Sequence, residues 1–196
     1  KAGMTFAAAL RSILRADPDV VLIGEIRDQE TANIAIEASL TGHLVLSTLH
    51  TNDAPSAVTR LTEMGVEPFL LSSSLAAVMA QRLARRLCKK CKRQDTATEA
   101  ELRTLGVPHM PDTPLPTIWR PVGCRECANT GYSGRVAIQQ VMGVDSTMED
   151  LIARGATSID IDKAAKEQGM TTLRKDGWQK ALQGITSVEE VLRVTV

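Results

Sequence analysis

Aromatic side chains, net charge and long apolar runs are all scarce in this sequence, and each scarcity argues against a class of protein. The 196 residues include two Trp, one Tyr and two Phe, which leaves little surface for stacking nucleic-acid bases. Basic and acidic residues number 23 each, so no global field attracts nucleic acid or a membrane surface. No run approaches the roughly 18 apolar residues that a membrane-spanning helix requires. We therefore expect an ordinary soluble globular protein, with no nucleic-acid partner and only indirect membrane contact.

Two short apolar segments are predicted to form neighbouring parallel strands. The first covers residues 20–23 and is followed by Glu25, and the second covers residues 43–49 and is followed by His50. The segment between them fits a helix, with Asp28 placed to cap its start. A strand-helix-strand unit makes the strands parallel, and continuous apolar residues are typical of strands covered on both faces. Because ligands bind beyond the carboxyl ends of such strands, polar residues at these exits, Glu25 and His50 among them, could meet a ligand. By position alone, a glutamate at the end of a strand is more often simply solvated.

Three nearby polar residues have simpler structural interpretations. Arg27 and Asp28 are expected to provide a local ion pair and a helix cap rather than chemistry. His43 lies at the entrance of the second strand, whereas His50 lies at its exit, so the two histidines should not do the same job. His43 is therefore expected to be structural.

The cysteines form two pairs, each with two residues between its members: Cys88, Cys91, Cys124 and Cys127. This spacing lets both thiolates of a pair reach one ion, and two pairs supply the four ligands of a closed structural Zn²⁺ site. The 32 residues between the pairs leave room for a hairpin or a small insertion. Two disulfides or four free thiols are the alternatives. No secretory segment is visible, which favours a metal, and four thiolates leave no open position for a catalytic water.

The remaining segments are predicted to be mainly helical. A long helix is expected from Pro68 to Leu87, and proline-rich irregular chain is expected from Gln94 to Pro121 around a short helix at 98–105. A strand is expected over residues 135–142. Glycine stops separate four further helices, near residues 147–154, 159–168, 172–183 and 188–194.

A run of basic residues begins at Arg82 and continues past the first cysteine pair to Arg93. A solvated face, an interface between subunits and a contact with phosphate are the alternative interpretations. Nucleic-acid binding is a further one, against which the neutral charge and the scarcity of aromatics both argue.

Three motifs together carry a resemblance to a known family. They are GEIRD at 24–28, TGHLVLSTLHTNDA at 41–54 and AQRLARRLC at 80–88. With the cysteines and residues 186–191, they make nearly the whole chain similar to the ATPases that power type II secretion and type IV pilus assembly. In that family GEIRD is an atypical Walker B segment and TGHLVLSTLHT is the histidine box.

The resemblance implies roles for three residues. Glu25 is expected to act at Mg²⁺ or its waters, His50 to sense the γ-phosphate of ATP, and Arg82 to lie near the nucleotide. Gly24 stands where an ordinary Walker B strand carries Asp, so contact with the metal through water is the expected mode.

The chain contains no segment of the form GxxxxGK[ST]. Such a loop supplies the backbone amides and the lysine that hold phosphate. The resemblance implies that this P-loop lies upstream, so we expect the chain to be the C-terminal part of a longer protein. We also expect it to be inactive alone, because phosphoryl transfer depends on positioning and charge stabilisation.

The expected fold is α/β, with three segments. A partial RecA-like parallel-sheet ATPase core covers residues 1–87, a four-cysteine zinc module covers 88–133, and a helical C-terminal domain covers 134–196. By resemblance, the complete protein is a cytoplasmic homo-hexamer at the cytoplasmic face of the bacterial inner membrane. It would act with adaptor proteins on an inner-membrane platform and drive pilin or pseudopilin assembly. A stand-alone zinc-containing interaction module without nucleotide chemistry is the alternative.

Overall fold

The computed structural model describes residues 3–195, and the architecture below refers to them. Within that range no helix is both long and apolar enough to cross a membrane. In chain order the elements are α1 (Phe6–Leu14), β1 (Val20–Ile23), α2 (Gln29–Leu40), β2 (Leu44–Ser47), α3 (Pro55–Glu63), α4 (Pro68–Ser74), β3 (Ala77–Leu87), β4 (Arg93–Thr96), α5 (Glu99–Leu105), β5 (Thr117–Arg120), a 3₁₀ turn (Arg125–Cys127), β6 (Tyr132–Gly143), α6 (Ser146–Ala153), α7 (Ser158–Glu167), α8 (Leu173–Leu182) and α9 (Val188–Val194).

The predicted strand-helix-strand unit is confirmed. β1 and β2 pair in parallel, with Val20 opposite Leu44 and Ile23 opposite Ser47. The intervening α2 begins at the predicted cap, where Asp28 Oδ1 accepts a hydrogen bond of 2.8 Å from the backbone N–H of Thr31. This short parallel pair fixes the relative positions of the two loops that follow β1 and β2.

The prediction that these strands are covered on both faces is wrong for residues 3–195. Val21 and Ile23 are buried, but the side chains that alternate with them are not. The described helices cover only one side of the pair. The other side forms an open face of four apolar residues, each about half exposed or more: Val20, Leu22, Leu44 and Leu46.

The predicted long helix from Pro68 to Leu87 is also wrong. The helix α4 ends at Ser74, and the strand β3 runs from Ala77 to Leu87. Three consecutive serine hydroxyls in α4 bond back to carbonyl oxygens three or four residues earlier, which competes with a continuing helix. The Ala- and Arg-rich residues that follow favour a helix by propensity, but pairing with β6 overrides that preference.

The segment between the cysteine pairs is more regular than expected. Strands β4 and β5 pair antiparallel, with Gln94 opposite Trp119. The predicted helix at 98–105 is present as α5, and Thr98 and Glu101 form a reciprocal capping box at its start. The four helices predicted near the end of the chain are present as α6 to α9.

The chain divides into two compact units. The first contains Lys1–Met79 and Val141–Met170, and the second contains Ala80–Gln140 and Thr171–Val196. In the first unit α4 packs on α6 and α3 on α7, and in the second α8 packs on α9 and β5. The predicted division into domains at 1–87, 88–133 and 134–196 does not coincide with these two units. That division stays a prediction.

Candidate functional site

Glu25 and His50 meet in the first unit, beyond the carboxyl ends of β1 and β2. His50 Nε2 lies 3.0 Å from Glu25 Oε2. Two hydrogen bonds hold the loops together: Ile26 N–H donates to the Thr48 carbonyl at 3.0 Å, and Thr48 Oγ1 donates to the Gly24 carbonyl at 2.6 Å. The parallel pairing therefore continues past the strands and sets the two side chains side by side.

Glu25 also forms an ion pair with Arg27. The hydrogen bond from Arg27 lowers the pKa of Glu25 most, and the contact with His50 lowers it further, while partial burial of the carboxylate opposes both. Glu25 is therefore ionised at neutral pH and can only accept hydrogen bonds. The predicted local ion pair of Arg27 is present, and its partner is the principal catalytic candidate.

His50 is largely exposed, with 88% of its side chain accessible, whereas Glu25 is 31% exposed. Because a carboxylate accepts, His50 Nε2 must carry the proton in this contact. An exposed imidazole beside a carboxylate can exchange this partner for an incoming anion. His43 differs, since its Nδ1 lies 3.0 Å from the Ala38 carbonyl oxygen at the end of α2, as a structural role requires.

Arg82 lies on β3 in the second unit, so the structure does not place it in one unit with Glu25 and His50. It is half buried, and its guanidinium donates a hydrogen bond of 3.3 Å to the Gln81 carbonyl. A role for Arg82 near the nucleotide stays a prediction.

The four cysteines converge in the second unit. Their sulfur atoms all lie within 4.8 Å of one another: Cys88, Cys91, Cys124 and Cys127. Three sulfur pairs are separated by 3.8–3.9 Å. Four sulfurs at about 2.3 Å from one tetrahedral ion would lie about 3.8 Å apart. The same distances are far longer than the S–S bond of about 2.05 Å in a disulfide. Both the donor set and its spacing therefore fit a closed tetrahedral metal site.

Backbone N–H groups point at two of the sulfurs. Cys127 Sγ accepts from Cys124 N–H and Gly131 N–H, both at 3.2 Å, and Cys91 Sγ accepts from Gly123 N–H at 3.3 Å. Burial raises the pKa of Cys127, but these N–H donors and the neighbouring thiols outweigh it and lower the pKa to about 6. Burial raises the pKa of Cys91 to about 11.

Strands deliver the two cysteine pairs to this site. β3 leads into Cys88, whose N–H donates to the Gly131 carbonyl at 2.9 Å. β5 ends at Arg120, four residues before Cys124. The exposed cations beside the cysteines offset the double negative charge that four thiolates and Zn²⁺ would carry: Lys89, Lys90 and Arg125.

Sequence reasoning missed a group of charged residues around the two chain segments that carry the cysteine pairs, which we call the cysteine arms: the first leads into Cys88 and the second into Cys124. Arg120 contacts three carboxylates, those of Asp95 at 3.0 Å, Glu101 at 2.5 Å and Glu189 at 2.7 Å. Glu190 is buried and pairs with Arg85 and Arg193. Glu189 and Glu190 both lie in the motif at 186–191. The motif marked these residues in the sequence, but it did not indicate which residues they contact.

Solved structures share this fold. The pilus retraction motor PilT with bound ADP aligns with a TM-score of 0.67 at 24% identity, over 97% of this chain and 43% of that one. The ATPase DotB of Legionella pneumophila aligns with a TM-score of 0.64 at 21% identity, over 97% of this chain and 42% of that one. At these identities the likeness shows the α/β fold alone, and it confirms the predicted fold class in that coarse form.

Curated relatives are much closer in sequence. Type II secretion system protein E of Aeromonas hydrophila is 52% identical over 195 residues, and that of Pseudomonas aeruginosa is 55% identical over 195 residues. Type IV pilus assembly ATPase PilB of Thermus thermophilus is 50% identical over 196 residues. Each match covers 100% of this chain but 38%, 38% and 22% of those proteins, respectively.

A family profile matches residues 1–193, and its description is "Type II/IV secretion system protein". The match spans both cysteine pairs, the Glu25 and His50 loops and the 186–191 motif. It confirms the resemblance on which the sequence analysis relied, and the chain therefore belongs to the type II/IV secretion system protein family.

Proposed function

We propose that this chain is the part of a secretion or pilus-assembly ATPase that carries the Walker B glutamate, the histidine sensor and a structural metal centre. The observation that carries the proposal is the 3.0 Å contact of Glu25 with His50 beyond two parallel strands. Family membership supplies the reaction class, since the relatives named above include a pilus assembly ATPase. ATP and Mg²⁺ are the proposed cofactors.

Glu25 would act as a fixed anion rather than as a proton carrier. Arg27 and His50 keep its pKa low, so its carboxylate is a weak base and a permanent acceptor. Such a group suits the water ligands of Mg²⁺, which keeps several waters when it binds phosphates. Arg27 would orient the carboxylate, because the two groups already form an ion pair.

His50 would respond to the γ-phosphate. Its Nε2–H donates to Glu25 here, and the same N–H could instead donate to a phosphate oxygen. The exchange would release one of the partners that hold Glu25. Occupancy of the nucleotide site would thereby change the environment of the carboxylate directly.

The cysteine cluster would hold Zn²⁺ through Cys88, Cys91, Cys124 and Cys127. When bound, zinc supplies a cross-link between the two pairs, and four thiolates leave it no vacant position for substrate. Its role would therefore be to fix the fold of the second unit. Arg82, on the strand that leads into Cys88, is proposed to contact the nucleotide in the complete protein.

The whole protein's assembly is proposed on the same basis. It would be a cytoplasmic homo-hexamer at the inner membrane that works with adaptor proteins and a membrane platform. Hydrolysis would drive the addition of pilin or pseudopilin subunits. Without a phosphate-binding loop, this chain alone is expected to be inactive.

The test uses the complete protein that contains this chain, in wild-type form and as Glu25→Gln. We expect the substitution to lower ATP turnover by about 100-fold while the affinity for Mg²⁺-ATP changes little. Glu37→Gln is the matched control, since Glu37 is exposed on α2 and its carboxylate makes no hydrogen bond or ion pair within residues 3–195. Turnover that survives Glu25→Gln would refute the assignment of Glu25. Absence of nucleotide binding in the wild-type complete protein would favour the interaction module instead.

A further inference from the structure

Two adjacent glutamates at the start of α9 reach the two chain segments that carry the cysteine pairs. Glu190 pairs with Arg85, which lies three residues before Cys88. Glu189 pairs with Arg120, which lies four residues before Cys124. One turn of helix thus contacts both arms of the metal site.

Glu190 is buried, and each of its two carboxylate oxygens accepts two hydrogen bonds. Its side chain is 1% exposed. Oε2 accepts from the Arg85 backbone N–H at 2.8 Å, and Oε1 accepts from the Arg85 guanidinium at 2.7 Å. Arg193 donates twice more, at 2.8 and 2.7 Å. The Arg85 guanidinium also lies 4.1 Å from the centre of the Tyr132 ring, which limits its freedom to swing away.

The ion pair of Glu189 with Arg120 is weaker than that of Glu190 with Arg85, because it is more exposed and its arginine is shared. Glu189 is 52% exposed, and its partner Arg120 is shared with Glu101 and Asp95. Solvent screens such a pair, and Arg120 keeps two carboxylates if Glu189 is removed. The first arm therefore depends on its glutamate more than the second arm does.

The residues just before Glu189 hold the first arm along its length. Thr186 Oγ1 donates to the Arg85 carbonyl at 2.8 Å, and Leu87 N–H donates to the Ile185 carbonyl at 2.9 Å. Beyond Cys88, Lys92 Nζ donates to the Gly184 carbonyl at 2.7 Å. The first cysteine pair is thus fixed from outside the metal site by residues 184–190.

We propose that Glu190 is a positioning residue for the four-cysteine metal site, because it holds the arm that carries Cys88 at the separation that one ion requires. The inference rests on the zinc site proposed above. Linkage makes the effect reciprocal: a bound ion that holds the arms must also stabilise the docking of α9. Glu189 contributes in the same direction but less.

The test measures metal affinity on the 196-residue chain by competition of Zn²⁺ with a chromophoric chelator. We expect Glu190→Gln to weaken Zn²⁺ binding by about tenfold, the lower end of the range for residues that support metal ligands. Glu189→Gln should change it by about twofold or less. Glu126→Gln is the control for charge, because Glu126 lies between two ligand cysteines and its carboxylate makes no hydrogen bond or ion pair in residues 3–195. We expect Glu126→Gln to leave the affinity nearly unchanged.

Co²⁺ substitution separates positioning from general destabilisation. A displaced sulfur changes the visible d–d absorption of the fully loaded Co²⁺ protein, whereas a loss of overall stability leaves that spectrum unaltered. We expect an altered spectrum for Glu190→Gln and wild-type spectra for the other two variants. A wild-type spectrum and affinity in Glu190→Gln would overturn the positioning role while leaving the metal site intact. Failure of the wild-type chain to bind Zn²⁺ would overturn both.

Hydrogen exchange on the wild-type chain gives a second test that needs no variant, in case Glu190→Gln does not fold. Zn²⁺ is expected to slow exchange of the amide hydrogens in residues 185–191 by at least about tenfold relative to the metal-free chain. Equal exchange with and without metal would refute the coupling.

Discussion

The turn that closes α8 makes a sharp test of packing in the second unit. Gly184 has a φ of +65°, and a Cβ there would lie 2.6 Å from Trp119 Cδ1 and 2.7 Å from Cγ and Nε1. Lys92 Nζ lies 4.3 Å from the ring centre and also donates to the Gly184 carbonyl, so a shift of the indole would disturb a second contact. Gly184→Ala therefore combines a left-handed backbone with a steric clash.

Gly106 provides the matched control at the end of α5. Its φ is +69°, and a Cβ there would meet no atom within 4 Å. The two turns share one hydrogen-bond pattern: Gly106 N–H bonds to the Arg103 carbonyl and Val107 N–H to Leu102, as Gly184 N–H bonds to Ala181 and Ile185 N–H to Lys180. Both glycines lie in the second unit. The clash with Trp119 is therefore the main steric difference between the two substitutions.

The magnitudes follow from these two contributions. A left-handed residue other than glycine costs about 1–2 kcal/mol, so Gly106→Ala should lower the free energy of unfolding by that amount. Overpacking adds about 1–3 kcal/mol, so Gly184→Ala should lower it by about 2–5 kcal/mol. The assay is urea unfolding followed by tryptophan fluorescence, because Trp119 and Trp178 both lie in the second unit. If the two variants agree within about 0.5 kcal/mol, the clash argument fails.

Three further predictions concern charge, metal and nucleotide. Burial raises the pKa of Glu190, but hydrogen bonds from Arg193 and Arg85 lower it to about 2 from 4.5. A lowered folded pKa stabilises the protein above pH ~4.5 and loses that effect as the pH falls towards 2. Glu190→Gln should therefore lower the free energy of unfolding, measured with urea, by at most about 3 kcal/mol at pH 7 and by about 1.4 kcal/mol at pH 3. A difference between wild type and variant that does not shrink as the pH falls would contradict this reasoning. Replacing Cys88 and Cys124 together by Ser should abolish stoichiometric zinc binding and lower the urea midpoint of the second unit, and unchanged folding would refute a structural metal. Calorimetric titration of Mg²⁺-ATP into this chain should show no binding, whereas tight binding that Glu25→Gln removes would reveal a self-sufficient nucleotide site.

Local patterns allowed much of the first unit to be predicted. Apolar strand residues, the Asp28 cap and the rule that parallel strands share one edge together predicted that Glu25 and His50 would be neighbours. The spacing of the cysteines likewise predicted their convergence, because two residues between ligands suit one ion. In each case the information lies in a few adjacent residues or in a fixed topological rule.

The failures arose where distant residues decide the structure. Residues 77–87 have helix-favouring side chains, and only their partner strand, more than 40 residues later, makes them β3. Arg85 and Glu190 are 105 residues apart, so no local pattern relates them. The motif at 186–191 was visible, but its contacts with the cysteine arms depend on tertiary packing.

The open face of β1 and β2 has a practical consequence for work with this chain. Val20, Leu22, Leu44 and Leu46 present contiguous apolar surface on a parallel pair, and parallel sheets are ordinarily covered on both sides. Such surface promotes association between copies and binding of hydrophobic dyes. Light scattering should therefore accompany every titration of the isolated chain, since a heat signal or a fluorescence change from clustering would imitate ligand binding.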